Sequence, residues 1–596
     1  MNKFDDTKNI KTYNDSNIIK RLYSYLKPVK WYFVLALFLT CVIVVADLIP
    51  AYLEGKIIGA LGDSNIASEE KFTKAIILVI VYVIIFIIAA IVNYLNTMNL
   101  QKAGQKIILS LRRDVFVHIE NLSIAQINAT PVGKLVTRVT SDVNMINELY
   151  TNVIVNLIRY LITIIFVIIL MLLISPLLTL YVGIMAPILI ILYIIFKNAS
   201  RKQYRVVRGC VSNVNAFLSE NLSGMKITQI FNQEEKKLKE FRQKNNELRK
   251  NSIKEVLIFG VFRPAIYVLY VVTQIIVLYN GYKLIGSNKL MLDSYVSFYR
   301  YIDSFFNPIQ QIADQFNQLQ SAFASAERIF EILDIKPQIL DDEEAIEIDK
   351  FQGKIEFDHV WFSYNNDNWI LKDVTFTINP NETVAFVGAT GAGKTTILAL
   401  IVRNYEIQRG EIRIDGINIR KIKIECLRKN IGQMLQDVFL FSGTIRSNLT
   451  LRDENFTDEE IIKSCQYVNA NSFIDKLDKG LDYEILERGA NFSSGQRQLL
   501  SFARTILHKP SIMILDEATA NIDTETEVLI QDSLEKMMNV GTMLIVAHRL
   551  STVQNCDNII VLHKGEIVEM GNHHSLLAQR GLYYNLYELQ YKHSER

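Results

Sequence analysis

Eight consecutive residues, Gly388-Ala389-Thr390-Gly391-Ala392-Gly393-Lys394-Thr395, fit the pattern G-x-x-x-x-G-K-[ST]. Glycines let successive backbone N–H groups converge on phosphate oxygens, and the start of a helix adds a favourable dipole. Lys394 brings a point charge to the β- and γ-phosphates, and the Thr395 hydroxyl can ligate Mg²⁺. Thr396 follows in the same turn and is counted with the nucleotide-binding residues. Further along, Ile512-Met513-Ile514-Leu515-Asp516-Glu517 reads as a buried strand ending in two acids. One carboxylate can hold Mg²⁺ through water while the next accepts a proton from an attacking water, so Asp516 is assigned to the metal and Glu517 to the general base. A strand ending in Asp-Glu is ordinarily a solvated terminus; the companion phosphate loop is what gives this one chemistry.

Both motifs need a sheet to hold them. The apolar runs TVAFVG, SIMILDEA, TMLIVAH and NIIVLHKG alternate with helical stretches such as TTILALIV, the rhythm of an α/β core with a largely parallel sheet. Around Asp334 the texture turns polar and charged (DIKPQILDDEEAIEIDKFQGK), which sets a linker at 336–352 between a domain over 1–335 and one over 353–596. Runs long enough to span hydrocarbon occur only before residue 320, near 31–53, 75–97, 153–175, 177–196, 256–279 and 295–317. An all-α, six-helix transmembrane domain is therefore expected ahead of the α/β domain. The first 28 residues are polar and lack the apolar core of a cleavable signal peptide, so the N-terminus is expected to stay cytoplasmic. Segment 197–255 carries 14 Lys or Arg against six acids. It and segment 98–152, both apolar at period 3.6, are expected as cytoplasmic continuations of the spans.

Whole-chain numbers agree with this division. A chain of 596 residues exceeds one hydrophobic core. With 50% hydrophobic residues, 21% charged and a mean hydropathy of +0.17, it is neither a disordered chain nor an ordinary soluble enzyme. A net charge of only +2 argues against a nucleic-acid partner. Five cysteines, none in a C-x-x-C pair, give neither a disulfide framework nor a zinc site, and the adjacent His573 and His574 have no companion ligands.

Between the two phosphate-chemistry motifs lies Ala490-Asn491-Phe492-Ser493-Ser494-Gly495-Gln496-Arg497-Gln498, which resembles the signature loop of ATP-binding-cassette (ABC) transporters. Other positions resemble further cassette motifs: Tyr364 the aromatic that stacks on adenine, Gln436 in MLQDVFLFSGTI the Q-loop glutamine, Asp523 in ATANID the D-loop aspartate, and His548 in VAHRLS the switch histidine. NATPVGKLVTRVTSDV (128–143) and SENLSGMKITQIFNQEE (219–235) resemble the intracellular segments of type IV exporters, so the resemblance covers nearly the whole chain. It implies an ATPase dimer in which each ATP is sandwiched between one subunit's phosphate loop and the other's signature loop. Glu517, His548 and Gln436 would be catalytic; Thr395, Gln436 and, through water, Asp516 would hold Mg²⁺; Ser493, Ser494, Gly495 and Gln496 would act in trans. A membrane domain fused ahead of its cassette implies export, with the cassette on the cytoplasmic side of the plasma membrane.

One position departs from the family pattern. Where L-S-G-G-Q is usual, the chain reads Phe492-Ser493-Ser494-Gly495-Gln496, and a side chain at Ser494 loosens a place where backbone approaches phosphate. A complete phosphate loop and Glu517 remain, a combination that resembles the glutamate-bearing subunit of heterodimeric exporters. A second half-transporter is the expected partner, a homodimer the alternative. Ionisable groups inside spans are costly and mark bundle interiors or water-filled paths; Asp47, Arg159, Arg263, Arg300, Asp303 and Asp314 are the candidates. The polar sixth span (Asn307, Gln310, Gln311, Asp314, Gln315, Asn317) is expected to line a transport cavity. Amphipathic small molecules, drugs or lipids are the expected cargo; a peptide or lipid-specific exporter, or an ATP-binding membrane regulator that does not pump, are the alternatives.

Overall fold

A computed structural model describes residues 15–62, 67–365, 368–435, 437–516, 524–546 and 550–594. Two compact units divide the chain: Met1–His118 with Gly133–Ile335, and Ile119–Val132 with Lys336–Arg596.

Long helices build the first unit: Lys30–Gly62, Ser68–Glu120, Ile154–Ile174, Pro176–Ser223, Glu234–Gly286 and Leu292–Leu333. On Ser68–Glu120, Ile77, Ile80, Ile84 and Phe86 stand 49–65% exposed. So large an apolar face is stable in hydrocarbon rather than in water, and the helix satisfies its own backbone groups there. Among the described residues, five stretches are long and apolar enough to cross a membrane: Ser16–Gly62, Glu69–Glu120, Val132–Ile174, Pro176–Ser223 and Glu234–Gly286. Leu292–Leu333, which contains the sixth expected span, is not one of them, because acids, an arginine and amides interrupt its apolar residues.

Ser175 and Pro176 reverse the chain in the least possible length. Ser175 is extended, its hydroxyl accepts the Leu178 N–H, and Pro176 opens the next helix where its missing N–H costs nothing. The segment expected as a mostly helical continuation of the spans, with apolar positions at period 3.6, is followed into the next span through two π-helical turns, Arg138–Asp142 and Leu149–Val153. In the first, the buried Asp142 carboxylate accepts from Arg138 Nη1 at 2.8 Å and from two nitrogens of Arg328, on helix Leu292–Leu333. Val44, Leu48, Val167, Met171, Phe298 and Ile302 form the buried centre of the helical packing. Three ion pairs tie charged groups of these helices together: Arg159 meets Asp47 at 2.7 Å, Arg300 meets Glu54 at 2.6 Å and Lys56 meets Asp293 at 2.6 Å. The Arg263 side chain lies outside the described residues.

The second unit contains strands β1 (Ile355–Phe362), β2 (Leu371–Ile378), β3 (Thr383–Val387), β4 (Arg409–Ile414), β5 (Ile417–Asn418), β6 (Ile431–Met434), β7 (Gly443–Thr444), β8 (Glu484–Ile485), β9 (Ile512–Asp516), β10 (Thr542–Val546), β11 (Asn558–His563) and β12 (Glu566–Gly571). An antiparallel sheet of order β2-β1-β4-β5 accompanies a six-stranded sheet of order β12-β11-β3-β10-β9-β6. In the latter only β12 runs antiparallel to its neighbour. Its parallel strands are apolar on both faces, as burial from both sides requires. Val384, Phe386, Ile512, Ile514, Leu544 and Val546 enter one core with the antiparallel sheet, while the intervening Ala385, Met513, Leu515, Met543 and Ile545 enter a second core with the helices.

Segments 119–132 and 336–352 run against each other and along this unit. Ser123 and Gln126 form a reciprocal capping box for helix Ile124–Asn128, and the Gln126 amide donates to the Lys336 carbonyl at 2.9 Å while accepting from the Gln338 N–H at 3.2 Å. Ile346 then bridges Ile422, and Lys423 pairs with Glu347 at 2.6 Å.

Candidate functional site

The phosphate loop joins β3 to helix Lys394–Ile401. Gly391 and Gly393 adopt φ of 84° and 107°, a left-handed backbone open to glycine at little cost. At Gly393 a side chain would also meet Leu371 Cδ2, 2.6 Å from its Cβ. Because Gly393 is the N-cap and offers no side chain, the first-turn N–H groups of the helix receive no side-chain cap. Several other helices in this unit have filled caps: Thr444, Thr457, Ser493 and Asn572 each accept an N–H of the helix they open, while the short helices Ile424–Lys429 and Asn471–Ile474 have none. A helix start left bare behind a glycine loop is suited to an anion.

Lys394 is buried and folds back on its own loop, donating to the Gly388 carbonyl at 2.6 Å and the Ala389 carbonyl at 3.2 Å. Burial holds its ammonium below the usual lysine range, and the Asp516 carboxylate opposes that shift. Ala389, Thr390, Gly391 and Thr395 are exposed, whereas Ala392 and Thr396 are buried. The exposed Thr395 hydroxyl and the Asp516 carboxylate at the end of β9 are hard oxygen donors of the kind Mg²⁺ takes. The Tyr364 hydroxyl lies 3.1 Å from Thr396 Oγ1, which ties the strand-end aromatic to the helix that begins the phosphate site. Edge-on contacts with Phe362 at 4.8 Å and Tyr405 at 5.0 Å fix its ring, which remains 48% exposed. Burial at the hydroxyl end raises its phenol, with the Thr396 hydrogen bond acting the other way.

Strand register gathers the rest. Phe386 of β3, Val546 of β10 and Asp516 of β9 stand level in adjacent parallel strands, so their carboxyl ends open on one edge beside the loop. Gln436, Glu517, Asp523 and His548 lie outside the described residues.

Ser493 and Gln496 cap each other: Ser493 Oγ accepts the Gln496 N–H at 3.2 Å and Gln496 Oε1 accepts the Ser493 N–H at 3.0 Å. They open helix Ser494–Leu507, in which Ser494 is the first residue and Gly495 is buried. Phe492 anchors the turn against Phe473 and Tyr483, and Arg497 donates to the Phe492 carbonyl at 3.0 Å.

Family comparison decides what this arrangement belongs to. The description "ABC transporter transmembrane region" matches residues 33–309, and "ABC transporter" matches residues 371–520. The chain belongs to the ABC transporter family. An uncharacterized ABC transporter ATP-binding protein of Bacillus subtilis, YknV, is 37% identical over 573 residues, covering 96% of this chain and 94% of the relative. YheH of the same organism, named a probable multidrug resistance ABC transporter ATP-binding/permease protein, is 36% identical over 567 residues, covering 91% and 83%. An ATP-dependent lipid A-core flippase of Syntrophus aciditrophicus is 33% identical over 577 residues, covering 97% and 95%. This ABC transporter is accordingly a multi-pass membrane protein with a helical membrane domain followed by an α/β cassette, and it couples ATP hydrolysis to transport. Exporters of the family work as dimers, so one chain is half of the working unit.

The membrane unit of the transporter encloses a cavity of about 770 Å³. Asn307, Gln310, Gln311 and Asp314 line it, as the polarity of the sixth expected span anticipates, whereas Gln315 is buried elsewhere in the packing and its Oε1 has no hydrogen-bond partner. Sequence reading missed Tyr270 and Gln274. The Gln274 amide donates to the Tyr270 hydroxyl, which donates to Asp303 Oδ1. Their i, i+4 spacing within the apolar stretch 256–279 was the available signal.

Proposed function

We propose that the chain is one half of a dimeric exporter that moves amphipathic small molecules, drugs or lipids outward across the plasma membrane by alternating access. The observation that carries this reading is one chain holding both an uncapped helix start with a buried lysine and a cavity among membrane helices lined mainly by aromatic and aliphatic side chains with a polar stripe of amides and carboxylates. Names of relatives point the same way, to multidrug resistance and to lipid flipping.

In this reading the loop Gly388 to Thr396 binds the ATP phosphates, Lys394 exchanging its loop carbonyls for phosphate oxygens, and Tyr364 offers its ring to adenine. Mg²⁺, when bound, would neutralise phosphate charge, with Thr395, Gln436 and, through water, Asp516 as its holders. Glu517 takes the proton of the attacking water, with Gln436 and His548 aligning the reacting groups and Asp523 passing the state of one site to the other. Ser493, Ser494, Gly495 and Gln496 complete the phosphate shell of the partner's ATP. Helix Leu292–Leu333 supplies the sixth span, with Asp303, Asn307, Gln310, Gln311 and Asp314 turned to the cavity, and an even number of spans leaves the N-terminus and cassette together on the cytoplasmic side. Residues 1–335, 336–352 and 353–596 are then membrane domain, linker and cassette.

The Ser494 side chain favours a heterodimer in which Lys394, Asp516 and Glu517 form the competent site with a partner's glycine-rich signature. ATPase activity of the purified chain in lipid, alone and co-expressed with the half-transporter encoded beside it, tests this. Activity only in the pair, lowered by orders of magnitude in Glu517→Gln while ATP still binds, is expected. Full turnover by the chain alone refutes the heterodimer, and near-normal turnover in Glu517→Gln refutes the base.

A further inference from the structure

Helices Lys30–Gly62 and Ser68–Glu120 carry lysines at both ends of their apolar stretches, and the two ends are neutralised differently. At one end Lys56 meets Asp293 at 2.6 Å and Lys74 meets Glu70 at 2.9 Å. The other end is the one at which the chain leaves helix Leu292–Leu333, marked by the ion pair of Arg21 with Asp334. There Lys27, Lys30, Lys102 and Lys106 are exposed, and none of the ion pairs among the described residues includes them. Two of them rest on aromatic rings instead. Lys30 Nζ stands 5.6 Å from the centre of Trp31, and Lys106 Nζ stands 4.8 Å from that of Tyr32 and donates to its hydroxyl at 3.0 Å.

These groups share one level. Asn99 Nδ2 donates to the Tyr32 carbonyl at 2.7 Å, which brings the lysines of one helix beside the aromatic pair of the other. Trp31, 72% exposed, lies where the apolar surface begins: Val34, Leu35 and Phe38 follow it on one helix, and Tyr94 and Leu95 precede Lys102 on the other, all exposed. Tryptophan and tyrosine favour the boundary between hydrocarbon and headgroups, and lysines just outside it attract negative surface charge. A ligand that satisfies both surfaces has an anionic head joined to hydrocarbon chains. An acidic protein segment would leave the exposed apolar residues uncovered, and a zwitterionic lipid brings its own cation to the lysines.

We propose that this corner is a seat for an anionic phospholipid, with Lys30, Lys102 and Lys106 around its phosphate and Trp31 at the junction of head and chains. The seat stands apart from the cavity and its cargo and does not depend on the exporter reading.

Trp31 reports on the seat directly, because the other two tryptophans, Trp361 and Trp369, lie in the cassette. The full-length chain carrying Trp361→Phe and Trp369→Phe is reconstituted in mixtures of phosphatidylglycerol and phosphatidylcholine, with bromine on the acyl chains of one lipid or the other. Quenching of Trp31 gives the relative affinity of the two. Phosphatidylglycerol is expected to be preferred at least about fivefold, the effect of one lysine at a charged surface. The preference falls toward one in Lys30→Gln combined with Lys106→Gln and in high salt, and it survives when the same two positions are changed to arginine. Because it is a ratio within each variant, a lower yield of folded protein leaves it readable. Equal quenching by the two lipids before the lysines are changed, or a preference unchanged in the glutamine pair, overturns the seat. Quenching by neither lipid shows that protein covers Trp31 and overturns it as well.

Discussion

Tyr364 has two parts that can be tested separately. Its hydroxyl reaches Thr396, steadying the turn that begins the phosphate site, while its exposed ring is left for a flat partner. The two contributions separate by substitution. Tyr364→Ala removes the stacking face and is expected to raise the KM for ATP about tenfold, since an aromatic–base stack is worth roughly 1–3 kcal/mol. Tyr364→Phe keeps the face and loses only the hydrogen bond, so its KM is expected within about threefold of wild type. Steady-state ATPase kinetics of the complete transporter decide it, and an unchanged KM in Tyr364→Ala places adenine elsewhere. Lys394, by contrast, shows a charge held in reserve. Its two carbonyl contacts are replaceable by phosphate oxygens, which are stronger acceptors, so ligand entry needs no new rotamer search far from the loop.

At the scale of elements, the helices were legible because their signal is local. Hydrocarbon-length runs, the Ser-Pro reversal at Ser175 and the glycine loop each lie within a few residues of sequence. What was not legible depends on partners far apart in the chain. Asp142 and Arg328 are separated by 186 positions, and the π-helical turn that presents Asp142 has no periodic signature of its own. The relay from Gln274 through Tyr270 to Asp303 likewise crosses two helices. Chain-end elements supply a test of pH dependence. His573 Nδ1 lies 2.7 Å from the buried Tyr583 hydroxyl and so joins helix His573–Gln579 to helix Leu582–Ser594, a packing role the bare histidine pair did not announce. Burial, and then the neighbouring His574, hold its imidazole below the usual histidine range. The unfolded chain thus takes up this proton first as pH falls from about 6.5, and stability declines through the window down to the lower folded value. Above about pH 7 the residue contributes no slope. Thermal unfolding of the cassette in the full chain, between pH 7.5 and 5, is expected to fall less steeply in His573→Gln than in wild type; parallel slopes refute the assignment.

For the whole molecule, the informative position is Ser494. As first residue of a helix whose cap is made by Ser493 and Gln496, it leaves that local capping intact, and under the proposed reading its consequence lies in the partner's ATP site. If the partner lacks a catalytic base there, Ser494→Gly is expected to change ATPase turnover less than twofold. In a homodimer the same change would tighten two working sites and raise turnover several-fold. Comparing the variant with wild type in the assembled transporter separates the two. The family was readable from motif order alone, since phosphate loop, signature and acidic strand end recur in sequence with their spacing intact. Whether the partner is a second copy or a different half-transporter was not, because one chain's signature does not show which phosphate loop it faces.

The alternation of the central strands has a consequence for how such a site can change over time. Successive residues of β3, β9 and β10 alternate between two different cores, and Phe386, Val546 and Asp516 owe their common level to that pairing. Inserting or deleting one residue near the start of β9 would send the side chains that follow it into the wrong core and, in the same step, pull Asp516 out of line with the phosphate loop. With Asp516 in its proposed role at the metal, a slipped form loses folding and hydrolysis together, since both failures have one origin. The alignment of the acidic strand end is therefore guarded by selection for folding itself, which leaves evolution free to rework the membrane cavity without disturbing the motor.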